Sequence, residues 1–348
     1  GTITGGTTDD IFVVVSGGTP ADDIFVNFGQ DSTNVASAQS DANGIGTFEY
    51  APPTDYVCLC SSSLTDSTIG PGQGSQADDH FNTVLYTGTG ATQSITGVGF
   101  QPDWVFVKRR AGVQEPSVTD SVRGVNAQLR PAATNVESTS TNSLTSFDSD
   151  GFTLGADATN SYNHYTDAHV AWNWKAGTSV SGTTTGSGTG QSYTGSVNTD
   201  AGFSIIAYTG NGTAGHTIPH HLGVAPKMVI SRKRSSTGSW GTYHAGLTSA
   251  SYYILLNDTA AQASNTVYFN GTAPTDSVVT RGTGADGNAN GETYIQYAFA
   301  EIEGYSKISS YVGNSNADGS FVYTGFRPAW VMIKRIDSTG SWNIADAA

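Results

Sequence analysis

Short runs of Val, Ile, Phe, Tyr and Thr, broken every few residues by Gly, Asn and Asp, extend along this chain, and none recurs at helical spacing. Trp104-Val-Phe-Val107, Phe203-Ser-Ile-Ile-Ala-Tyr208, Tyr253-Ile-Leu-Leu256 and Val267-Tyr-Phe269 are of this kind. Successive side chains of a strand point to opposite faces, so a run that is apolar at neighbouring positions is covered on both sides. The pattern predicts an all-β fold of stacked antiparallel sheets, arranged as tandem β-sandwiches.

One pattern returns three times. Tyr86-Thr-Gly leads to Gly99-Phe-Gln-Pro102-Asp-Trp104-Val-Phe-Val-Lys108-Arg109. Tyr208-Thr-Gly leads to Gly223-Val-Ala-Pro226-Lys-Met-Val-Ile-Ser-Arg232-Lys233, and Tyr311-Val-Gly to Gly325-Phe-Arg-Pro328-Ala-Trp330-Val-Met-Ile-Lys334-Arg335. The prolines stand 124 and 102 residues apart, too far for a solenoid unit and suited to a small domain. Two copies close on an aromatic pair, Trp172-Asn-Trp174 and Tyr297-Ala-Phe299, which begins 70 and 71 residues after the proline. A beaded array is expected: one sandwich at 80–177, a second at 201–302 with Pro226 over Pro102 and Tyr297 over Trp172, and the truncated start of a third at 303–348. The Gly/Ser/Thr-rich stretch 178–200 reads as a linker, as does 64–79, whereas the second and third copies are close enough in sequence to pack together. Residues 1–63 do not match the repeat and read as the C-terminal part of another sandwich.

Charged residues are 13% of the chain, against roughly 25% in ordinary soluble proteins, so the surface is built from hydroxyls and amides. Net charge is −14, which leaves no basic face for nucleic acid and argues against anionic lipid. No apolar run approaches the ~20 residues of a membrane-spanning helix, so no membrane insertion is expected. Cys58 and Cys60 share one face of a strand, where a bond between them would strain the backbone; two buried thiols are expected.

Candidate chemistry is thin. Trp240 and Trp342 each follow Thr-Gly-Ser, beyond a turn where a ring reaches the surface, and with Tyr243 and His244 they make up the candidate sugar-contact set. Trp172 and Trp174 share a face and suit either a stacking platform or a core; burial is the better reading, since the second copy keeps aromatics there. Asp286-Gly-Asn288-Ala-Asn290-Gly291 places oxygens at alternate positions like the first half of a calcium loop, though Tyr297 stands where the bidentate Glu belongs. Asp286, Asn288 and Asn290 are therefore the metal candidates and calcium the one cofactor considered, with an Asn-rich turn as the competing reading. The adjacent His220 and His221 point apart on a strand and read as satisfied histidines. No Ser-His-Asp order or paired-carboxylate signature stands out, so no enzyme is expected.

Asn27-Phe28-Gly29-Gln30 and Phe48-Glu-Tyr50-Ala-Pro52-Pro53 resemble the end of the SPRY-like, concanavalin-type sandwich of large fibre and adhesin proteins of marine bacteriophages. Phe147-Asp-Ser-Asp-Gly151-Phe-Thr-Leu-Gly155, Ala171-Trp-Asn-Trp174-Lys-Ala-Gly177 and the three proline segments resemble the repeated jelly-roll-like modules that follow it there. The resemblance implies a virion structural protein, a tail-fibre or appendage adhesin at the particle surface that meets host-surface glycan. It implies a homo-oligomer, threefold as in such fibres, and contacts with other virion proteins. A secreted bacterial adhesin or lectin and a glycan-degrading tailspike are the alternatives.

Overall fold

The computed structural model of the chain describes residues 35–53, 58, 68–70, 73–156 and 162–348. The chain forms two compact units, Gly1–Asp66 and Ser67–Ala348. In the first, an antiparallel bridge joins Gln39 and Phe48 across a turn organised by Asp41. The Asp41 carboxylate accepts the N–H of Asn43 and Ile45 at 2.9 Å and of Cys58 at 2.8 Å. Cys58 is buried as expected. Cys60 and the runs at 11–15 and 24–30 lie outside the described residues.

The second unit is almost wholly antiparallel sheet, as the patterning predicts. Its first repeat contains β1 (Phe81–Thr87), β2 (Gln93–Thr96), β3 (Trp104–Arg109), β4 (Ser117–Asp120), β5 (Ala127–Gln128), β6 (Ser138–Thr139), β7 (Leu144–Asp148), β8 (Gly151–Leu154) and β9 (Ala168–Trp174). Then come β10 (Thr178–Thr183), β11 (Thr185–Gly186) and β12 (Ser192–Asn198). The second repeat continues with β13 (Phe203–Thr209), β14 (His216–Pro219), β15 (Met228–Lys233), β16 (Trp240–His244), β17 (Tyr252–Leu255), β18 (Ala263–Ser264), β19 (Val278–Arg281), the one-turn α1 (Ala285–Asn288) and β20 (Thr293–Phe299). The third has β21 (Trp330–Lys334) and β22 (Trp342–Asp346).

The two complete repeats are built alike. Their main sheets run β1-β9-β3-β4 and, within a longer sheet, β13-β20-β15-β16. Phe106 lies opposite Trp172 and Trp104 opposite Trp174; two residues after the second proline the same pairing recurs, Met228 opposite Phe299 and Ile230 opposite Tyr297. A smaller sheet, β2-β8-β7 or β11-β14-β19, accompanies each. Between the sheets of the first repeat lie Ile95, Val105, Val107, Phe152, Leu154 and Ala171; between those of the second lie Ile206, Tyr208, Ile218, Val229, Val279 and Ala298.

Three matched positions in these cores differ in kind. Val107, Leu154 and Ala171 are replaced in the second repeat by Ser231, Arg281 and Gln296, all equally buried. The Arg281 guanidinium donates to Ser231 Oγ and Gln296 Oε1 and lies 5.0 Å from the Phe269 ring centre. Burial pushes the pKa of Arg281 down. The hydroxyl, amide and ring face therefore stand in for water around a cation that pairs with no carboxylate among the described residues.

The repeats are not beads. The opposite face of each main sheet is also apolar, and these faces pack on one another in a single core containing Trp104, Phe106, Trp172 and Trp174 of the first repeat with Phe203, Ile230, Trp240 and Tyr297 of the second. Trp330 and Ile344 of the third pack against it. Trp104 lies 4.8 Å from Tyr297 between ring centres, and Trp174 stands edge-on to Trp330 at 5.4 Å. Four side-chain hydrogen bonds at matched positions run between repeats in one cyclic direction. Tyr297 of the second donates to Asp120 of the first at 2.6 Å, and Trp172 of the first donates to Asp346 of the third at 3.0 Å. Trp342 of the third donates to Leu255 O of the second at 3.0 Å, just as Trp240 of the second donates to Arg130 O of the first at 3.0 Å. Each bond goes to the next repeat, and three steps close the ring.

The stretch 178–200 is not a slack linker either. Its Gly, Ser and Thr form β10 and β12, which pair along Thr178–Thr183 and extend the second repeat's main sheet through β13. Backbone pairing suffices there because both faces of β10 are largely exposed.

Trp174 touches Phe81 and Trp104 of its own repeat, Phe299 of the second and Trp330 of the third. Trp174→Ala is therefore expected to lower the stability of the whole second unit by about 3–5 kcal/mol. Calorimetry should show one cooperative transition moving as a unit. Two separable transitions, only one of them shifted, would contradict the shared core.

Candidate functional site

A cavity of about 430 Å³ opens where the three repeats meet. Its size falls in the range of small-ligand pockets, roughly 300–1,000 Å³. The first repeat supplies Phe106 and Lys108 from β3, Trp172 from β9, and Pro116, Pro131 and Ala132 from connecting segments. The second supplies Leu256, Asn257, Asp258 and Thr259, and the third Met332, Ser341, Trp342 and Ile344. Strand alternation explains the apolar wall, because the residues that face the shared core end their rows here.

One position in the cavity lining differs among the three repeats. Trp240 and Trp342 stand four residues before His244 and Asp346; the residue four before Asp120 is Pro116. At the boundary between second and first repeats Trp240 is fully buried, with its N–H on Arg130 O and Ala133 O. In the first repeat the smaller proline ring occupies the matching place and lines the cavity.

Polar groups are few and fixed. Lys108 Nζ donates to Arg109 O at 2.8 Å. Lys334 Nζ, just outside the lining, donates to Thr259 O at 3.1 Å and Gly340 O at 2.9 Å. Burial lowers the pKa of both lysines, and Asp258 partly offsets this at Lys334. Asp258 Oδ1 accepts from Ala260 N–H at 2.9 Å, and Asn257 Oδ1 from Trp240 N–H at 2.8 Å. An aromatic and aliphatic wall with a carboxylate, an amide and an ammonium at its rim suits a ring that has apolar faces and polar edges.

Of the four sugar-contact candidates, only Trp342 lies in this cavity. Trp240, expected at the surface, is buried, because the loop of the first repeat around Arg130 and Ala133 covers it and the Arg232 guanidinium sits 5.7 Å from its ring centre. Tyr243 is also buried, 5.7 Å from Phe269 inside the second sandwich. His244 is half-buried, and its Nδ1 accepts from Gly246 N–H at 2.9 Å. Trp172, read as core, is buried and forms part of the cavity wall as well. Phe106, Lys108, Asn257, Asp258 and Met332 were not picked out; the mismatch of Pro116 with Trp240 and Trp342 was the available signal.

Of the metal candidates, Asn288 offers no free oxygen. Residues 285–288 form α1, and Asn288 is buried with its amide fully engaged. Asn288 Oδ1 accepts from Asn211 N–H at 3.1 Å and faces His216 Nδ1 at 2.8 Å, while Nδ2 donates to Thr213 O and Gly282 O. Asp286 accepts from the Tyr268 hydroxyl at 3.2 Å. The Asn288 oxygen is thus committed to neighbouring donors and is not a free ligand. Among the described residues no three His, Cys, Asp or Glu side chains converge as a metal site. His220 and His221 are both hydrogen-bonded, to Thr275 O and the Tyr193 hydroxyl.

His169, His216 and His220 have no exposed surface, and burial holds their pKa values below the ordinary one. The unfolded chain takes up protons near pH 6.5 that the folded chain does not, so stability is lost as pH falls through that value. Each such histidine contributes a slope of up to roughly 1.4 kcal/mol per pH unit. Urea midpoints should fall between pH 7.5 and 5.5, and His216→Asn should flatten that dependence. An unchanged slope in the variant would remove His216 from the set. Chelation with EDTA should leave the melting temperature where it is, whereas a fall would restore the calcium reading.

Among curated proteins and among solved structures, nothing matches the chain. A family model described as a domain of unknown function (DUF7483) matches residues 76–348, and the chain belongs to that family.

Proposed function

We propose that this DUF7483 member is a structural and binding protein of a viral fibre or surface appendage, and that it contacts host-surface glycan through the cavity where its three repeats meet. The observation that carries the reading is the cavity itself: an indole-bearing wall with a sparse polar rim, set in a surface of low charge. Sugar rings present C–H faces to aromatics and hydroxyls to amides and carboxylates, and a single small site of this kind binds them weakly. Several fibres on one particle multiply such contacts into useful avidity. The likeness of the repeats to phage fibre modules supports a position at the virion surface, with other virion proteins and further copies of itself as partners. The reading is of recognition without bond cleavage.

The test is an array of bacterial surface oligosaccharides probed with the intact protein, followed by calorimetry on any glycan retained. Millimolar to high micromolar binding is expected, reduced at least about tenfold in both Trp342→Ala and Lys108→Ala. Retention of full affinity in both variants, with melting temperatures intact, would move the site elsewhere. Release of reducing ends on incubation would favour the tailspike alternative, and recovery of the protein from bacterial cell-surface fractions but not from virions would favour the bacterial adhesin.

A further inference from the structure

A second hollow, of about 290 Å³, lies on the first repeat alone, lined by Gln128 of β5, Ser138 of β6, and Arg130, Asn135 and Val136 of the segment between them. The second repeat carries the same hairpin at the same length. Gln128 pairs with Ser138 as Tyr253 pairs with Ala263, and Leu129 lies opposite Val118 as Ile254 lies opposite Thr242. Position by position, the five lining residues become Tyr253, Leu255, Ala260, Ala261 and Ala263. There the aromatic is spent on packing, with Tyr253 stacked on Tyr268 at 4.2 Å between ring centres. In the first repeat four of the five side chains are polar instead, and Asn135 and Ser138 are exposed, so the exchange does not serve a core.

The backbone of this segment is held from behind by the second repeat. Trp240 donates to Arg130 O and Ala133 O, Gly238 N–H to Thr134 O at 3.1 Å and the Arg232 guanidinium to Asn135 O, while Glu137 N–H donates to Arg234 O at 3.1 Å. Its side chains are thereby left to face solvent from a fixed frame. Arg130 gives Nη1 to Glu115 at 3.2 Å, and among the described residues its other nitrogens and the Asn135 side-chain amide make no hydrogen bond. A guanidinium with an unspent edge, beside an amide and a hydroxyl, is a set of donors whose planar fork matches the two oxygens of a carboxylate. We propose that this hollow binds an acidic sugar residue, with Arg130 on its carboxylate, Asn135 and Ser138 on neighbouring hydroxyls and Val136 against a C–H face of the ring. Its volume is at the lower end of small-ligand sites, roughly 300 Å³, and suits one such residue. Glu115 competes with the ligand for the same guanidinium. The proposal rests on the glycan reading and gives it a second subsite, apart from the cavity where the three repeats meet.

The experiment titrates the intact, isotope-labelled protein with methyl glucuronide, with methyl glucoside and a sulfated methyl glucoside as the comparison probes, and reads backbone amide shifts together with affinity. The glucuronide is expected to shift amides across 128–138 and the neutral glucoside to leave them in place. Arg130→Gln should weaken glucuronide binding by about tenfold or more, the worth of a hydrogen bond to a charged group. Glu115→Gln should strengthen it by about two- to fivefold, because the guanidinium loses its exposed partner. The opposite signs of these two variants separate recognition from damage to the fold. Trp342→Ala should leave the shifts at 128–138 unchanged. Glucuronide shifts that avoid 128–138 overturn this subsite and leave the glycan reading to its own test, whereas array binding insensitive to Trp342→Ala and Lys108→Ala would remove the three-repeat cavity and leave the subsite standing. Weaker binding in Glu115→Gln, or a sulfated probe held at 128–138 more tightly than the glucuronide, overturns the assignment of a carboxylate to Arg130.

Discussion

The constraint on which the rest of this structure depends is that each repeat's main sheet is apolar on both faces. A sheet in a simple sandwich turns one face to water. Here Val105 and Val107 on one side of β3 and Trp104 and Phe106 on the other are all buried. The small partner sheet covers only the first side. The second side is covered by other repeats, so these sandwiches hold one another up. At ~25 cal/mol per Å² of apolar surface, rings the size of Trp174, Trp330 and Tyr297 contribute far more together than hydrogen bonds between exposed surfaces would. The bonds that do cross, such as Tyr297 to Asp120, fix which repeat follows which. Asp120 is itself fully buried and ion-paired to Arg123, which pairs onward to Glu137 and so to Arg234 of the second repeat. Burial opposes the charge on Arg123, and the acidic groups around it more than restore it, raising its pKa.

Strand identity and the duplication were legible in the chain, because a strand's two-residue period and a fixed proline-to-aromatic spacing are local properties. What lay beyond reach was how the duplicated parts meet. Trp240 follows a Thr-Gly-Ser turn and looks like a surface ring; it is buried by Arg130 and Ala133, more than a hundred residues earlier in the chain. The stretch 178–200 has the composition of a slack tether, and composition does not reveal that β12 finds a neighbour in β13. The cavity draws on three repeats at once, so no local window contains it. Its one written trace is Pro116, where the other two repeats have Trp.

The exchange of Val107, Leu154 and Ala171 for Ser231, Arg281 and Gln296 shows how the same strand order tolerates opposite core chemistry. A single arginine in the first repeat's core would be an unpaired buried charge, which is costly. Introduced together, the hydroxyl and amide acceptors and the nearby Phe269 make the cation admissible. Matched positions in such repeats change as sets, and a sandwich can keep its register while its interior is rewritten.

Joining the repeats in one polypeptide also frees them from symmetry. In a ring of three separate identical chains, any substitution appears at every boundary at once, and a change that opens a hollow opens three. Here the residue at each junction is inherited separately: Pro116, Trp240 and Trp342 fill one site with two residue types, as do Asp120, His244 and Asp346. Pro116 and Trp342 line the recess, while Trp240 at the matching site is fully buried. The stoichiometry of whatever enters that recess is then one per chain, written by covalent order and not by assembly.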